Sequence, residues 1–236
     1  MYSHKEKKTI RECLREIKCS IYDNTIMFLR SQLATHENYF SCGKEWYQYA
    51  RLRSNAAYSS ERVIELPLVM KYVNECAPSG GKILEVGNVL NHYYSFPHEV
   101  VDKYEKAGNV INKDILDFSP SEKYDLIVSI STLEHVGFDE EDRDKEKVYK
   151  AIEKLKSLVV FKGKIIVTVP LGHNISMDNQ IILGIIKPNK MHLMHRVSCE
   201  NEWVEESLGK FQTEDFKYGS PYPYANWVLL MIIEAS

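Results

Sequence analysis

The chain has 236 residues, 44% of them hydrophobic and 27% charged, which is enough for one large or two small globular domains with a substantial core. Its net charge of −3 offers no basic field for a nucleic-acid partner. The longest apolar run, residues 227–233, is far shorter than the ~20 residues of a membrane helix, and no apolar signal core opens the chain. We therefore expect a cytoplasmic protein without a membrane span.

The cysteines predict neither a disulfide framework nor a zinc knuckle. There are 5 of them, an odd number, and no two have the CxxC spacing. The acidic run over 139–142 is typical of a solvated loop rather than of a metal site. We expect a reducing compartment and no metal.

The first third of the chain predicts a helical extension. Apolar residues recur every three or four positions within 1–35, which indicates helices. The aromatic and arginine-rich segment that follows has no clean periodicity, and we interpret it either as a lid over a site or as a core or subunit contact. A further helix begins near Ser59 or Ser60 and runs through Val73, with Pro67 as a candidate kink. The predicted organisation is a helical N-terminal extension and lid over 1–78 and a second domain over 79–236. The helical N-terminus also suits the pairing of two subunits in a homodimer.

The second domain alternates short apolar runs with helical or loop segments, which is typical of a parallel α/β sheet. The predicted strands are 82–87, 98–102, 109–112, 124–130 and 163–169, and an amphipathic helix is predicted over 145–158. The short stretch from Asp102 to Asp114 leaves no room for a full crossover helix, so we expect a turn there. Two more strands, 191–197 and 225–234, most simply form an antiparallel pair at the end of the sheet.

Polar residues follow the strands at the same end. The run KILEVG (82–87) passes from a buried strand through Glu85 to Gly87, and the next strand ends at Asp102. Because ligands of open α/β sheets bind outside the carboxyl ends of the strands, we expect a site along this edge. A buried, unpaired carboxylate costs several kcal/mol, so Glu85 either organises the loop or a ligand amino group, or pairs with a lysine or arginine of the lid.

These motifs resemble the class I S-adenosylmethionine-dependent methyltransferases. KILEVG is similar to the first motif of that family, Lys113-Asp114-Ile115 to the adenine-binding position, YDLIVSISTLEHVG to the fourth strand and its loop, and FKGKIIVTVP to the fifth strand. The resemblance covers about residues 80–170. It implies a Rossmann-like α/β fold, a mostly parallel sheet with helices on both faces and an antiparallel C-terminal strand pair, preceded by the helical N-terminal lid.

The resemblance also implies a cofactor site for S-adenosylmethionine. It places the methionine part of the cofactor at Glu85, Gly87 and Asn88 and the ribose at Asp102. The remaining implied cofactor-binding residues are Asp114, Ile115, Thr132 and Leu133. Glu105 is the alternative to Asp102, and a loop cap is the alternative role for Asp114.

Two histidines are candidates for the catalytic base, because histidine titrates near neutrality. His135 lies in the loop that the family directs toward cofactor and acceptor, and its alternative role is packing or orientation. His173, in PLGHN after the fifth strand, is the second candidate. His92 and Tyr93 either line the acceptor pocket or cover the cofactor.

The implied function is methyl transfer to a small-molecule or glycan acceptor, at a sugar hydroxyl or amine. GNVLNHY followed by VVDKYE is similar to small methyltransferases of glycan and cell-surface polysaccharide biosynthesis. Two alternatives stay open. Gly87 is followed by Asn88, Val89 and Leu90 instead of the GxGxG loop, which favours an inactive binding or scaffold relative. A nucleotide-dependent oxidoreductase uses the same kind of sheet, but the GxGxxG motif is absent.

Overall fold

The computed structural model describes residue 29 and residues 38–52 and 54–235. The helices predicted within 1–35 lie outside the described residues except at Leu29, and so does Arg53. The described strands are β1 (Tyr39–Cys42), β2 (Glu45–Gln48), β3 (Ile83–Val86), β4 (Glu99–Val101), β5 (Val110–Ile111), β6 (Tyr124–Ile130), β7 (Val159–Pro170), β8 (Lys190–Arg196), β9 (Trp203–Glu206) and β10 (Trp227–Glu234). The described α-helices are α1 (Arg62–Cys76), α2 (Lys147–Leu158) and α3 (Ile175–Ile182).

Eight strands form one sheet in the order β5-β4-β3-β6-β7-β10-β8-β9. The strands from β3 to β7 pair in parallel, whereas β10 is antiparallel to both β7 and β8. The predicted Rossmann-like sheet with an antiparallel C-terminal strand pair is confirmed. The chain runs outward from β3 to β5 and then returns to β6 on the other side of β3. This reversal is a topological switch point, where a crevice opens at the carboxyl ends of β3 and β6.

The sheet is buried on both faces. One hydrophobic cluster includes Leu84 and Ile127 with α2 and α3, and the other includes Ile83 and Val128 with α1. Because side chains alternate along a strand, both clusters draw on the same strands. This explains why the strands read as continuous apolar runs, which is typical of parallel sheets with both faces covered. The predicted placement of helices on both faces is confirmed.

Helix α1 contains Pro67 and uses it to dock the preceding segment. A proline lacks the N–H that would donate to the carbonyl four residues earlier, that of Val63. In the structure the Val63 carbonyl accepts instead from the Ala50 amide at 2.9 Å. The helix therefore continues through Pro67. The Val63 carbonyl, which Pro67 leaves without a partner inside the helix, binds the chain that follows the β1–β2 hairpin.

Three elements were not predicted: the β1–β2 hairpin, helix α3 and strand β9. The hairpin lies in the aromatic segment for which a lid and a core or subunit contact are the alternatives, and Trp46, 68% exposed, lies on its outer side. Strand β9 has only 4 residues, two of them glutamates, so its pairing with β8 leaves little trace in the sequence. No helix in the part of the chain that the structure describes has the length and apolarity needed to cross a membrane.

Candidate active site

The loop after β3 turns at Gly87, where only glycine fits. Its φ is +89°, and a Cβ built there would lie 2.2 Å from Thr132 Oγ1. Its amide donates to the Val101 carbonyl at 2.9 Å, which ties the loop to the end of β4. Backbone therefore lines the crevice at this point because the sequence places no side chain there.

Glu85 holds the rest of this loop from below. Its side chain is fully buried, and Oε1 accepts from the amides of Val89 and Leu90 at 2.9 and 2.7 Å. Its Oε2 lies 3.0 Å from Nε2 of the equally buried His98. Glu85 thus orders the glycine-poor loop, and its partner is a histidine rather than a lid lysine or arginine.

The ion pair between Glu85 and His98 is expected to make the unfolding free energy depend on pH. Burial acts to lower the pKa of His98, but the hydrogen bond to Glu85, the hydrogen bond to the Phe96 carbonyl and the charge of Glu85 together outweigh it and hold the pKa above its ordinary value. The stabilisation is therefore fully present below about pH 6.5 and is lost as the pH rises through the raised pKa of the folded state. His98→Gln is expected to lower the unfolding free energy by about 1–3 kcal/mol at pH 6 and by less at pH 9.

Urea unfolding at the two pH values, with His92→Gln as the control at a half-exposed histidine, measures this difference. An equal loss at both pH values would contradict the assignment of the charge to His98.

Two adjoining cavities open at the switch point. A narrow cavity of about 80 Å³ lies over the ends of β3, β4 and β5, and a wide cleft of about 550 Å³ lies beside it toward α1. The sequence-predicted residues that line the narrow cavity are Gly87, Asp102, Asp114, Ile115, Thr132 and His135. Those that line the wide cleft are Asn88, His92, Tyr93, Asp102, Thr132 and His135. Asp102, Thr132 and His135 border both spaces, so the two cavities are adjoining parts of one candidate site.

Three predicted site residues do not line either cavity. Glu85 and Leu133 are fully buried, the first under the loop and the second in the core. His173 lies behind His135, with ring centroids 4.8 Å apart. Their predicted contacts with ligand stay predictions; in the structure Glu85 holds the loop after β3, and the ring of His173 packs against that of His135.

Only one of the two carboxylate oxygens of Asp102 accepts hydrogen bonds from the described residues. Oδ1 accepts from the amides of Tyr104 and Glu105, both at 2.7 Å, whereas Oδ2 has no hydrogen-bond partner within the described ranges. The alternative acid, Glu105, already accepts from the Asn88 side chain at 2.6 Å and borders only the wide cleft. The free oxygen makes Asp102 the better acceptor for a ligand hydroxyl.

Asp114 belongs to an ion network that the sequence did not predict. Its Oδ1 accepts from the Leu116 amide at 3.1 Å, the loop cap that had been left open as an alternative, and Oδ2 lies 2.6 Å from Lys147 Nζ. Burial acts to raise the pKa of Asp114, but the hydrogen bonds from Lys147 and the Leu116 amide outweigh it and lower that pKa to about 2.

Lys103 and Lys147 both bridge Asp114 to Glu140, a member of the acidic run. The acidic run thus helps to close the narrow cavity. Lys147 and Asp114 are 33 positions apart, so no local spacing predicted their ion pair.

His135 is oriented by an acid. Its Nδ1 lies 2.5 Å from Asp139 Oδ2, and its Nε2 lies 3.6 Å from Glu134 Oε1. Donation of the Nδ1 proton to Asp139 leaves Nε2 as the basic nitrogen. Burial and then the nearby His135 ring lower the pKa of His173, which keeps that second imidazole neutral at pH 7. The arrangement can accept a proton at the border of the two cavities.

A buried acidic group lies behind this histidine. Both carboxylate oxygens of Glu134 are buried without a hydrogen-bond partner among the described residues, and burial raises the pKa of Glu134 well above its usual range. Glu65 is fully buried too and pairs with Arg62, while Glu61 and Arg62 line the wide cleft. The N-terminal end of α1 therefore contributes charged groups to the wall of the cleft.

No protein-family model matches the chain, and no curated protein matches it. Solved structures do match. The N-methyltransferase NodS from Bradyrhizobium japonicum, in complex with S-adenosyl-L-homocysteine, is 13% identical over 70% of this chain and 84% of its own, with a TM-score of 0.43. The plantazolicin methyltransferase BpumL is 14% identical over 71% of this chain and 81% of its own, with a TM-score of 0.40. The sugar N-methyltransferase KedS8 from Streptoalloteichus is 11% identical over 74% of this chain and 89% of its own, with a TM-score of 0.37. All three neighbours are methyltransferases, and the NodS and BpumL structures contain S-adenosyl-L-homocysteine.

Proposed function

We propose that this chain is an S-adenosylmethionine-dependent methyltransferase that acts on a small-molecule or glycan acceptor, at a sugar hydroxyl or amine. The observation that carries the proposal is the pair of adjoining cavities at the switch point of the sheet, bordered by the glycine turn at Gly87 and by Asp102, whose Oδ2 has no partner among the described residues. The expected cytoplasmic location and homodimer remain predictions.

The residues present fit the cofactor by their chemistry. The narrow cavity has apolar walls that include Val86, Val101 and Ile115, and a narrow apolar slot suits a flat heterocycle. Asp102 offers a hydrogen-bond acceptor to ribose hydroxyls, and Gly87 offers backbone without a side chain. When bound, the cofactor supplies a methyl group on a sulfonium, so the protein mainly has to position the acceptor and exclude water.

The wide cleft suits a polar acceptor. Its volume of about 550 Å³ falls in the ~300–1,000 Å³ range of small-molecule sites. Its walls combine aromatic faces, at Tyr93 and Tyr224, with the charged groups of Glu61 and Arg62. Aromatic faces and charged hydrogen-bonding groups are suited to a sugar, whose rings have apolar faces and hydroxyl or amine edges.

Calorimetry with S-adenosyl-L-homocysteine tests the proposal. We expect binding of one equivalent, and we expect S-adenosylmethionine but not NAD to raise the melting temperature. A folded protein that binds neither sulfur compound would favour the inactive scaffold, and a shift with NAD alone would favour the oxidoreductase. Transfer of a labelled methyl group to a panel of amino sugars and neutral sugars then identifies the acceptor atom.

The role of Asp102 gives a separate prediction. Asp102→Asn keeps an oxygen for the Tyr104 and Glu105 amides but removes the charge offered to the ribose. A hydrogen bond to a charged group contributes about 1.5–3 kcal/mol, so affinity for S-adenosyl-L-homocysteine is expected to fall by roughly 10- to 150-fold. Asp117→Asn, an exposed acid outside both cavities, is the matched control in the same titration. Equal affinities of the two variants would shift the ribose role to Glu105.

A further inference from the structure

A second cluster of potential ligand atoms lies away from the candidate active site. Cys42 in β1, His192 in β8 and Glu205 in β9 each bring one donor atom into a group in which all atoms lie within 4.8 Å of one another. His192 Nδ1 and Glu205 Oε1 are 2.5 Å apart. None of the three residues lines the cavities described above.

The surroundings hold these side chains in place. The Gly43 amide donates to Glu205 Oε2 at 2.7 Å, so the other carboxylate oxygen is the one that meets His192. Gly43 has a φ of +65°, and a Cβ built there would lie 2.9 Å from Cε1 of the His192 ring. The turn between β1 and β2 therefore passes directly over the imidazole. Hydrogen bonds that orient ligand side chains in this way are a usual feature of metal sites.

The burial of the cluster leaves one side open. Cys42 and His192 are 4% and 8% exposed, whereas the side chain of Glu205 is 30% exposed. An ion has a route in past the carboxylate, and water has a place to complete its coordination. Three protein ligands and one water would complete the four-coordinate, tetrahedral geometry that zinc prefers.

We propose that Cys42, His192 and Glu205 bind a zinc ion that fastens the β1–β2 hairpin to the β8–β9 edge of the sheet. The donor set favours zinc, which a thiolate, an imidazole and a carboxylate all bind, over magnesium and calcium, which prefer oxygen ligands alone. Binding releases the thiol proton to solvent and forms a sulfur–zinc bond, with no change of oxidation state. Because Cys42 belongs to the hairpin and His192 and Glu205 belong to the eight-stranded sheet, a bound ion stabilises the docked hairpin by mass action.

The competing interpretation is purely structural. A charged hydrogen bond between His192 and Glu205 beside a buried apolar thiol would look the same without an ion. Metal binding predicts two results that this interpretation does not. The thiol of Cys42 forms a bond to the ion, and loss of the Glu205 carboxylate weakens the affinity for the ion.

Cobalt(II) tests both results, because it replaces zinc in such sites and its absorbance in the near ultraviolet shows that it is bound to a thiolate. The full chain is prepared with its other thiols removed, as Cys13→Ser, Cys19→Ser, Cys76→Ser and Cys199→Ser, so that Cys42 is the one thiol left. We expect the thiolate–cobalt band to saturate at one equivalent and to disappear when zinc is added. We also expect zinc to raise the melting temperature.

Two variants in this background complete the test. Cys42→Ser is expected to abolish the band and the zinc-dependent shift in melting temperature, and Glu205→Gln to weaken cobalt binding at least about tenfold while the fold is kept. Asp139→Asn is the control, because Asp139 belongs to the other His/Asp cluster of the described residues, at His135 and His173, which has no thiol. Absence of the band in the parent, or a band of equal affinity in the Glu205→Gln variant, would overturn the proposal.

Discussion

Gly87→Ala is expected to lower the affinity for S-adenosyl-L-homocysteine about a hundredfold or more. The added methyl group would lie 2.2 Å from Thr132 Oγ1 and 2.9 Å from its Cγ2, and the φ of +89° is one that alanine rarely adopts. The strained backbone costs about 1–2 kcal/mol and the overpacking about 1–3 kcal/mol. Relief of this strain moves the loop or Thr132, both of which border the narrow cavity, and about 2.8 kcal/mol corresponds to a hundredfold loss. Calorimetry with S-adenosyl-L-homocysteine measures the loss of affinity.

The chain provides a matched control at Gly80. This glycine has a similar φ of +74°, but a Cβ built there meets nothing within 4 Å. Gly80→Ala should therefore cost stability alone, through its backbone, and leave the affinity for S-adenosyl-L-homocysteine unchanged. If both variants lost affinity equally, the effect would come from general destabilisation and not from the crevice at Gly87.

His135→Asn is expected to lower kcat by roughly 10²- to 10⁴-fold on a hydroxyl acceptor, the range of a general base, with little change in KM for S-adenosylmethionine. The imidazole is oriented by Asp139 at 2.5 Å and borders both cavities, and in the proposed reaction its Nε2 accepts the proton of the acceptor. Methyl-transfer kinetics with the acceptor found in the sugar panel measure this loss.

The neighbouring acids supply the controls for His135. Asp139→Asn reverses the preference for the Nδ1 tautomer and should lose a substantial part of the same activity. Asp142→Asn, an exposed member of the same acidic run, should lose none. His173→Asn tests the second candidate base: a loss there larger than that of His135→Asn would exchange the two roles. An amine acceptor needs less help from a base, and both losses would then shrink.

Much of the fold was predictable because its determinants are local. Strand β6 was predicted at its observed bounds, 124–130, since its alternating faces are both buried and leave a continuous apolar run. The twelve-residue interval between Asp102 and Asp114 predicted a crossover without a helix, and the described structure has no helix in that interval. The glycine turn at Gly87 and the acid at Asp102 were predicted in the same way, from what each residue type permits at the end of a strand.

The sequence by itself determined the parallel sheet, the edge that carries the site and the acids and histidines available there, because periodicity and residue chemistry act over a few neighbouring positions. Only the tertiary structure decided the partners: His98 for Glu85, Lys147 for Asp114, and the meeting of Cys42 with His192 and Glu205. Such contacts join residues separated by 13 to 163 positions, and they follow from how the strands and helices pack, which no local pattern of residues encodes.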